Sequence, residues 1–175
     1  MADTDRTPLR PTRFIYDRAT QPELFEDILS KRIIAFVIDA ILIVLLMIPA
    51  ALLVLVLGIV TLGLGWLLFP PLFAIVGLGY IAVTLGGPAS ATLGMRVSGV
   101  EMRTWSGQKL FPLLAVLHAL AFWFSVGILT PLVLLVGLFN RRRRLLHDII
   151  LGTVIINNAQ RAAELRALWA GARAG

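Results

Sequence analysis

The chain has 175 residues, of which 58% are hydrophobic and 15% charged, with a mean hydropathy of +0.88. Soluble domains contain about 45–50% apolar and about 25% charged residues, so this composition indicates a membrane protein. The low charge excludes disorder over most of the length. A disulfide scaffold is excluded as well, because the sequence contains no cysteine.

The charges lie outside the long apolar runs. The formal net charge is +6, yet Asp39 is the sole charged residue between Ile33 and Leu85, and residues 110–140 contain none. Basic residues that flank apolar runs favour contact with anionic lipid head groups, so membrane lipids are the expected partners. Binding of a polyanion is the alternative, and we expect no nucleic-acid partner.

Three apolar runs predict the membrane segments. Residues 33–58 and 66–86 are each long enough to cross a hydrocarbon core, which takes about 20 helical residues. The third run, residues 110–139, is too long for one upright span and too short for two. It contains glycine and proline break signals, so we expect a helical hairpin broken near Ser125–Gly127. A single tilted span that places the C-terminus on the opposite side is the alternative.

The fold class predicted is an all-α, polytopic transmembrane helical bundle with a small cytoplasmic β element. A polar cytoplasmic tail, residues 1–30, precedes a membrane domain at 31–157. Within that domain the loop 87–109 is rich in basic residues, and such short loops stay on the cytoplasmic side. We expect the β-branched segment Ile149–Ile156 to pair with a hairpin in this loop.

Residues 158–175 predict a basic amphipathic C-terminal helix. We expect Leu165, Leu168 and Trp169 to form its lipid-facing side. Both termini are expected in the cytoplasm, which requires the third apolar run to enter the membrane and return.

Asp39 is the most informative residue, because a carboxylate deep in a bilayer costs roughly 2.5–3.5 kcal/mol. It is either a structural carboxylate with a partner or a proton, cation or ligand site. Arg32 lies on nearly the same helical face, but about 10 Å away along the axis. Helical side chains lean toward the N-terminus, so a direct pair with Asp39 is not expected. The two residues instead form one polar stripe.

Two histidines and a second aspartate complete the polar candidates. Asp148 follows four arginines, Arg141 to Arg144, and could simply balance their charge. His147 and Asp148 are a poor chelating pair, because sequence neighbours diverge on a helix or strand. His118 lies in the third apolar run, where it is either a proton shuttle or a packing residue.

No catalytic template is present. The sequence contains no His-Glu-x-x-His, Gly-x-Ser-x-Gly or P-loop motif. The segment Gly77–Ala82 has the letters of a dinucleotide fingerprint but lies within an apolar run, with no strand before it. We therefore expect neither an enzyme nor a cofactor nor a metal.

Three segments together resemble the RDD family of bacterial membrane proteins, which is named for an arginine and two aspartates. The first, KRIIAFVID at 31–39, has the family's arginine at the head of a span and the aspartate within it. The second, ATLGMRVSGV at 91–100, is similar to the family's loop pattern, and the third, RLLHDIILGTVI at 144–155, is similar to its terminal segment. Met95 departs from the usual lysine, and His118 stands about where an arginine is common.

The resemblance implies a multi-pass protein of the bacterial inner membrane. The family's suggested function is transport of an unidentified ligand. The hypothesised centre is a cluster of Arg32, Asp39 and Asp148, supported by Arg96, His118 and His147. Asp39 would bind and release a proton, cation or small solute, and a homo-oligomer would be needed for a pathway. The alternative is a non-transporting scaffold or accessory subunit, in which the cluster is structural and the basic tails bind lipid or a membrane partner.

Overall fold

The computed structural model describes residues 15–139 and 146–174. Helix α1, Ile28–Val60, has 33 residues and is about 50 Å long. Its length and composition are sufficient to cross a membrane. Most of its large apolar side chains are exposed, as expected of a helix that faces lipid; they include Ile33, Ile34, Phe36, Ile41, Val44, Ile48, Leu53 and Val60.

The second apolar run is helical over only part of its length. Helix α2, Leu72–Thr84, has 13 residues and begins directly after Pro71. The two full spans that the sequence predicted are therefore not confirmed. A 3-10 turn, Leu64–Leu68, precedes α2 and folds back on α1. The Trp66 Nε1–H there donates to the Leu55 carbonyl at 3.3 Å, so part of the predicted span becomes a turn.

The third apolar run forms one continuous helix. Helix α4, Pro112–Phe139, has 28 residues, and the predicted break near Ser125–Gly127 is wrong. Glycine and proline interrupt helices less strongly in apolar surroundings, where neighbouring groups satisfy the freed backbone. The four arginines at 141–144 lie outside the described residues.

The predicted β element is confirmed. A short helix, α3, Leu93–Val97, precedes strand β1, Val100–Thr104. Helix α5, Leu146–Ile150, precedes strand β2, Thr153–Asn157. The strands are antiparallel, with Val100 opposite Asn157 and Thr104 opposite Thr153. All five residues of β2 are buried, so the β-branched segment does pair with the loop between the spans, although its first residues belong to α5.

Both ends of the described chain pack on this sheet. The Ile15 N–H donates to the Trp105 carbonyl at 3.2 Å. The Asn157 side-chain amide donates to the Glu23 carbonyl at 2.7 Å and accepts from Lys31 Nζ at 2.6 Å. Residues 15–27, β1, β2 and helix α6, Ala159–Ala174, are called the cap below. The N- and C-terminal parts of the described chain thus lie at one end of α1.

Helix α6 packs on the rest of the cap by an apolar face. Asn158 begins the helix, and its side-chain oxygen accepts from the Arg161 N–H at 2.9 Å. Leu165 is 6% exposed and Leu168 is 64% exposed. Leu165 therefore belongs to the protein interior, and the expectation that it faces lipid is wrong. The helix extends over Ala159–Ala174, with Leu168 on its open side.

Candidate functional site

Asp39 accepts three hydrogen bonds, all from uncharged donors. Its Oδ1 accepts from the Tyr80 hydroxyl at 2.6 Å and from the Gly94 backbone N–H at 2.8 Å. Its Oδ2 accepts from the Thr92 hydroxyl at 2.5 Å. These donors come from α2 and from the start of α3. One half-buried carboxylate of α1 therefore connects three helices, and these four residues are called the Asp39 site.

The start of α3 has the residues that this contact needs. Thr92 is the N-cap residue, whose hydroxyl accepts from the Met95 N–H at 3.2 Å while it donates to Asp39. The Leu93 N–H donates to the Tyr80 hydroxyl at 3.2 Å. The first N–H groups of any helix lack partners within that helix. At the start of α3 the Leu93 and Gly94 N–H groups donate instead to Tyr80 of α2 and Asp39 of α1.

Gly94 allows α3 to approach α1 closely. A Cβ atom at this position would overlap the Ala35 carbonyl oxygen and lie 2.9 Å from the Asp39 carboxyl carbon. Any larger residue at position 94 would therefore push α3 away from α1 and lengthen the hydrogen bond to Asp39.

We expect Gly94→Ala to lower the free energy of unfolding by about 1–3 kcal/mol, the usual range for overpacking. Thermal unfolding of the detergent-solubilised protein, followed by tryptophan fluorescence, measures this. Gly79→Ala is the matched control, because a Cβ on Gly79 of α2 meets no atom within 4 Å. Equal melting temperatures of the two variants would contradict the close approach of α3 to α1.

A second group of polar residues surrounds Asp148. Arg32 Nη1 lies 2.7 Å from Asp148 Oδ2, and the aspartate side chain is fully buried. His118 Nε2 lies 3.5 Å from Asp148 Oδ1, and His118 Nδ1 lies 3.3 Å from the Thr153 hydroxyl. These four residues, called the Asp148 network, come from α1, α4, α5 and β2. A buried carboxylate needs such partners, since an unpaired buried charge is strongly destabilising.

The Asp148 network is bonded to the cap. The Thr153 carbonyl accepts from Trp105 Nε1–H at 3.2 Å, and the Trp105 N–H donates to the Gly152 carbonyl at 2.8 Å. Gly152 has φ +67, a backbone conformation that favours glycine. The network therefore joins the membrane helices α1 and α4 to the sheet.

The structure divides the predicted cluster into two. It brings Arg32, Asp148 and His118 together, whereas the Asp39 carboxylate is bonded to hydroxyl and amide donors. Within the described part of the chain, Asp39 forms no ion pair. This corrects the expectation that Asp39 shares one cluster with Arg32 and Asp148. Neutral donors satisfy a carboxylate without the cost of desolvating a second charge.

The supporting residues have different positions. Arg96 is exposed, and its Nε–H donates to the Ala91 carbonyl at 3.2 Å. It does not join either group among the described residues. His147 belongs to α5, and its side chain lies outside the described part of the structure. Among the described residues, no three acidic or histidine side chains lie close enough to hold a metal ion.

Sequence reasoning missed Tyr80, Thr92, Gly94 and Thr153. Tyr80 could have been found from the sequence. It carries a hydroxyl within one apolar run, and Asp39 carries a carboxylate within another, so the two are possible partners. Thr92 and Gly94 belong to the second signature segment, 91–100, although nothing in the sequence connects them to Asp39. The structure supplies this connection: α1 carries Asp39, which contacts the second segment, and Arg32, which contacts Asp148 in the third.

Comparison with known proteins identifies the family of this chain. No curated protein and no solved structure matches the chain. The model of the RDD family matches residues 28–152, which contain the Asp39 site and every member of the Asp148 network except Thr153. This match extends over more than half of the chain, and the protein therefore belongs to the RDD family, a family of membrane proteins.

Proposed function

We propose that this protein is a non-transporting membrane scaffold or accessory subunit, in which the Asp39 site holds α3 against α1 and α2, and the Asp148 network holds the cap against α1 and α4. The observation that carries this proposal is that the Asp39 carboxylate already has hydrogen-bond donors from the protein itself. Both of its oxygens already accept hydrogen bonds from donors on other helices. A cation site would have to offer these oxygens as ligands, whereas here they join α1, α2 and α3.

The Asp148 network supports the same role. The Arg32–Asp148 ion pair connects α1 to α5, and Thr153 begins the strand that pairs with β1. Each polar group therefore stabilises a contact between a membrane helix and a segment at the cap end of the protein. A scaffold of this kind presents the cap at a fixed distance from the bilayer.

We place the cap on the cytoplasmic side of a bacterial inner membrane. Basic residues in the N-terminal segment and in the loop 87–109 support this orientation, because short basic loops stay in the cytoplasm. The exposed apolar side chains of α1 would contact lipid, a second copy of this chain or another membrane protein. The basic segments at both ends would contact anionic head groups.

Proton transport is the second candidate, and His118 is the observation that favours it. This titratable side chain lies on an apolar helix between the Asp148 carboxylate and the Thr153 hydroxyl. A chain of such groups can pass a proton, since histidine changes its charge near neutral pH. On this second candidate, the Asp148 network is the transport centre and the Asp39 site remains structural.

A proton-flux experiment separates the two functions. The protein is reconstituted in liposomes that contain a pH-sensitive dye, and a pH gradient is applied with a potassium diffusion potential. For the scaffold we expect the wild-type trace to equal that of empty liposomes. Flux above that level in the wild type, lost in His118→Gln, would establish transport and overturn the scaffold. Gly79→Ala is the control for nonspecific leakage, because its Cβ would meet no neighbouring atom.

A further inference from the structure

We propose that α3 is a lipid-binding element, in which Arg96 binds the phosphate of an anionic phospholipid and Leu93 and Val97 contact its acyl chains. The inference depends on the membrane placement proposed above, but not on the role of Asp39 or Asp148. Its first support is the depth of α3 along α1. Gly94 of α3 lies against Ala35 and Asp39, so the position of these residues fixes the level of α3.

The exposed apolar surface of α1 indicates how deep in the bilayer α3 lies. It extends from Ile33 to Val60, and this length of helix rises about 42 Å. A bilayer with its head groups is about 40–45 Å thick, and its hydrocarbon core is about 30 Å thick. Each head-group layer is then roughly 5–8 Å deep. Ala35 and Asp39 lie about 3 Å and about 9 Å below Ile33, so α3 lies where the head-group layer meets the hydrocarbon core.

The side chains of α3 fit this level. Leu93 is 40% exposed and Val97 is 74% exposed, and they lie four residues apart on one face of the helix. Apolar side chains at such exposure are expected where they meet lipid. The neighbouring Met95 is 6% exposed and packs inward. The short helix thus has one face toward α1 and one open apolar face.

Arg96 has the charge and geometry to bind a phosphate. Its Nε–H is held by the Ala91 carbonyl at 3.2 Å, which fixes the plane of the guanidinium. Its two terminal nitrogens form no hydrogen bond with any residue that the structure describes. The forked donors of arginine match phosphate oxygens. A positive group at the edge of the head-group layer, beside an apolar face, therefore selects an anionic phospholipid over a zwitterionic one.

Lipid titration of the full-length protein in a neutral detergent tests this proposal. Bound lipid is counted by native mass spectrometry with phosphatidylglycerol, phosphatidylcholine or inorganic phosphate as the probe. We expect phosphatidylglycerol to bind more tightly than phosphatidylcholine. Arg96→Gln should weaken phosphatidylglycerol binding about fivefold, which corresponds to about 1 kcal/mol for one basic residue at a charged surface. Arg96→Lys, which keeps the charge, should retain most of the binding.

Arg161→Gln is the matched control, because it removes the same charge from an exposed guanidinium that already pairs with Glu164 at 3.0 Å. Equal effects of Arg96→Gln and Arg161→Gln, or displacement of the lipid by inorganic phosphate, would overturn the proposal. If Arg96→Gln does not fold, Val97→Ser is the second variant, because it keeps the Arg96–Ala91 hydrogen bond. We expect Val97→Ser to weaken the binding of both lipids, and unchanged binding would also overturn the proposal. Flotation of the protein with liposomes tests the membrane placement separately. If the placement is right and only the lipid-binding proposal is wrong, the protein still floats with the liposomes.

Discussion

Replacement of Arg32 by methionine is expected to lower the free energy of unfolding by about 3–5 kcal/mol. The variant removes the guanidinium that lies 2.7 Å from the fully buried Asp148 carboxylate. A charge left in the interior without its ionic partner is costly, and methionine keeps much of the volume of the arginine. Unfolding of the detergent-solubilised protein, followed by tryptophan fluorescence in increasing denaturant, measures the loss.

The double variant Arg32→Met/Asp148→Leu isolates the ion pair. Replacement of both partners of a buried pair by apolar residues is often nearly neutral, so we expect the double variant to recover most of the lost stability. Arg161→Met removes an exposed arginine of similar size and should change stability by less than about 1 kcal/mol. Additive losses in the double variant would show that Arg32 and Asp148 do not interact.

The sequence was sufficient for the elements that depend on apolar patterning. Ile33–Val60 is an uninterrupted apolar run apart from Asp39, and α1 follows it closely. The β-branched segment Ile149–Ile156 predicted a strand that pairs with the loop between the spans, and the strand observed there is Thr153–Asn157. The ionic contact of Arg32 with Asp148 was also predictable, because a buried charge needs an opposite charge and the family resemblance placed both residues in signature segments.

The sequence was insufficient where uncharged groups or backbone approach decide the structure. A backbone N–H such as that of Gly94 has no signature in the sequence, so the true partners of Asp39 could not be deduced from charge. The sequence predicts a tight turn at Thr61–Trp66, but the observed 3-10 turn extends to Leu68, and Gly65 permits its close contact with α1 near Gly58. The continuous helix α4 was missed because its glycine and proline residues were taken to break the helix, although such residues interrupt an apolar helix less strongly.

Replacement of Asp39 by alanine is expected to lower the free energy of unfolding by about 2–4 kcal/mol. The variant removes the acceptor of three hydrogen bonds, and each unsatisfied donor costs about 1–3 kcal/mol, less where it can rotate toward water. Asp39→Asn should cost about 1 kcal/mol, because its carbonyl oxygen still accepts from Tyr80 and Gly94 while Thr92 can accept from its amide. Denaturant unfolding of the three proteins gives the comparison.

Hydrogen exchange locates the effect and distinguishes the two functions. In Asp39→Ala we expect faster exchange at the Gly94 amide, which loses its acceptor, and unchanged exchange in β1 and β2, which are paired with each other. Thr92→Val and Tyr80→Phe each remove one donor to Asp39 and should give smaller, similar losses. A structural carboxylate predicts this graded series. If Asp39→Asn instead matched the wild type in stability and exchange but abolished a measurable proton flux, Asp39 would be a transport residue, and the scaffold role assigned to its site would be wrong.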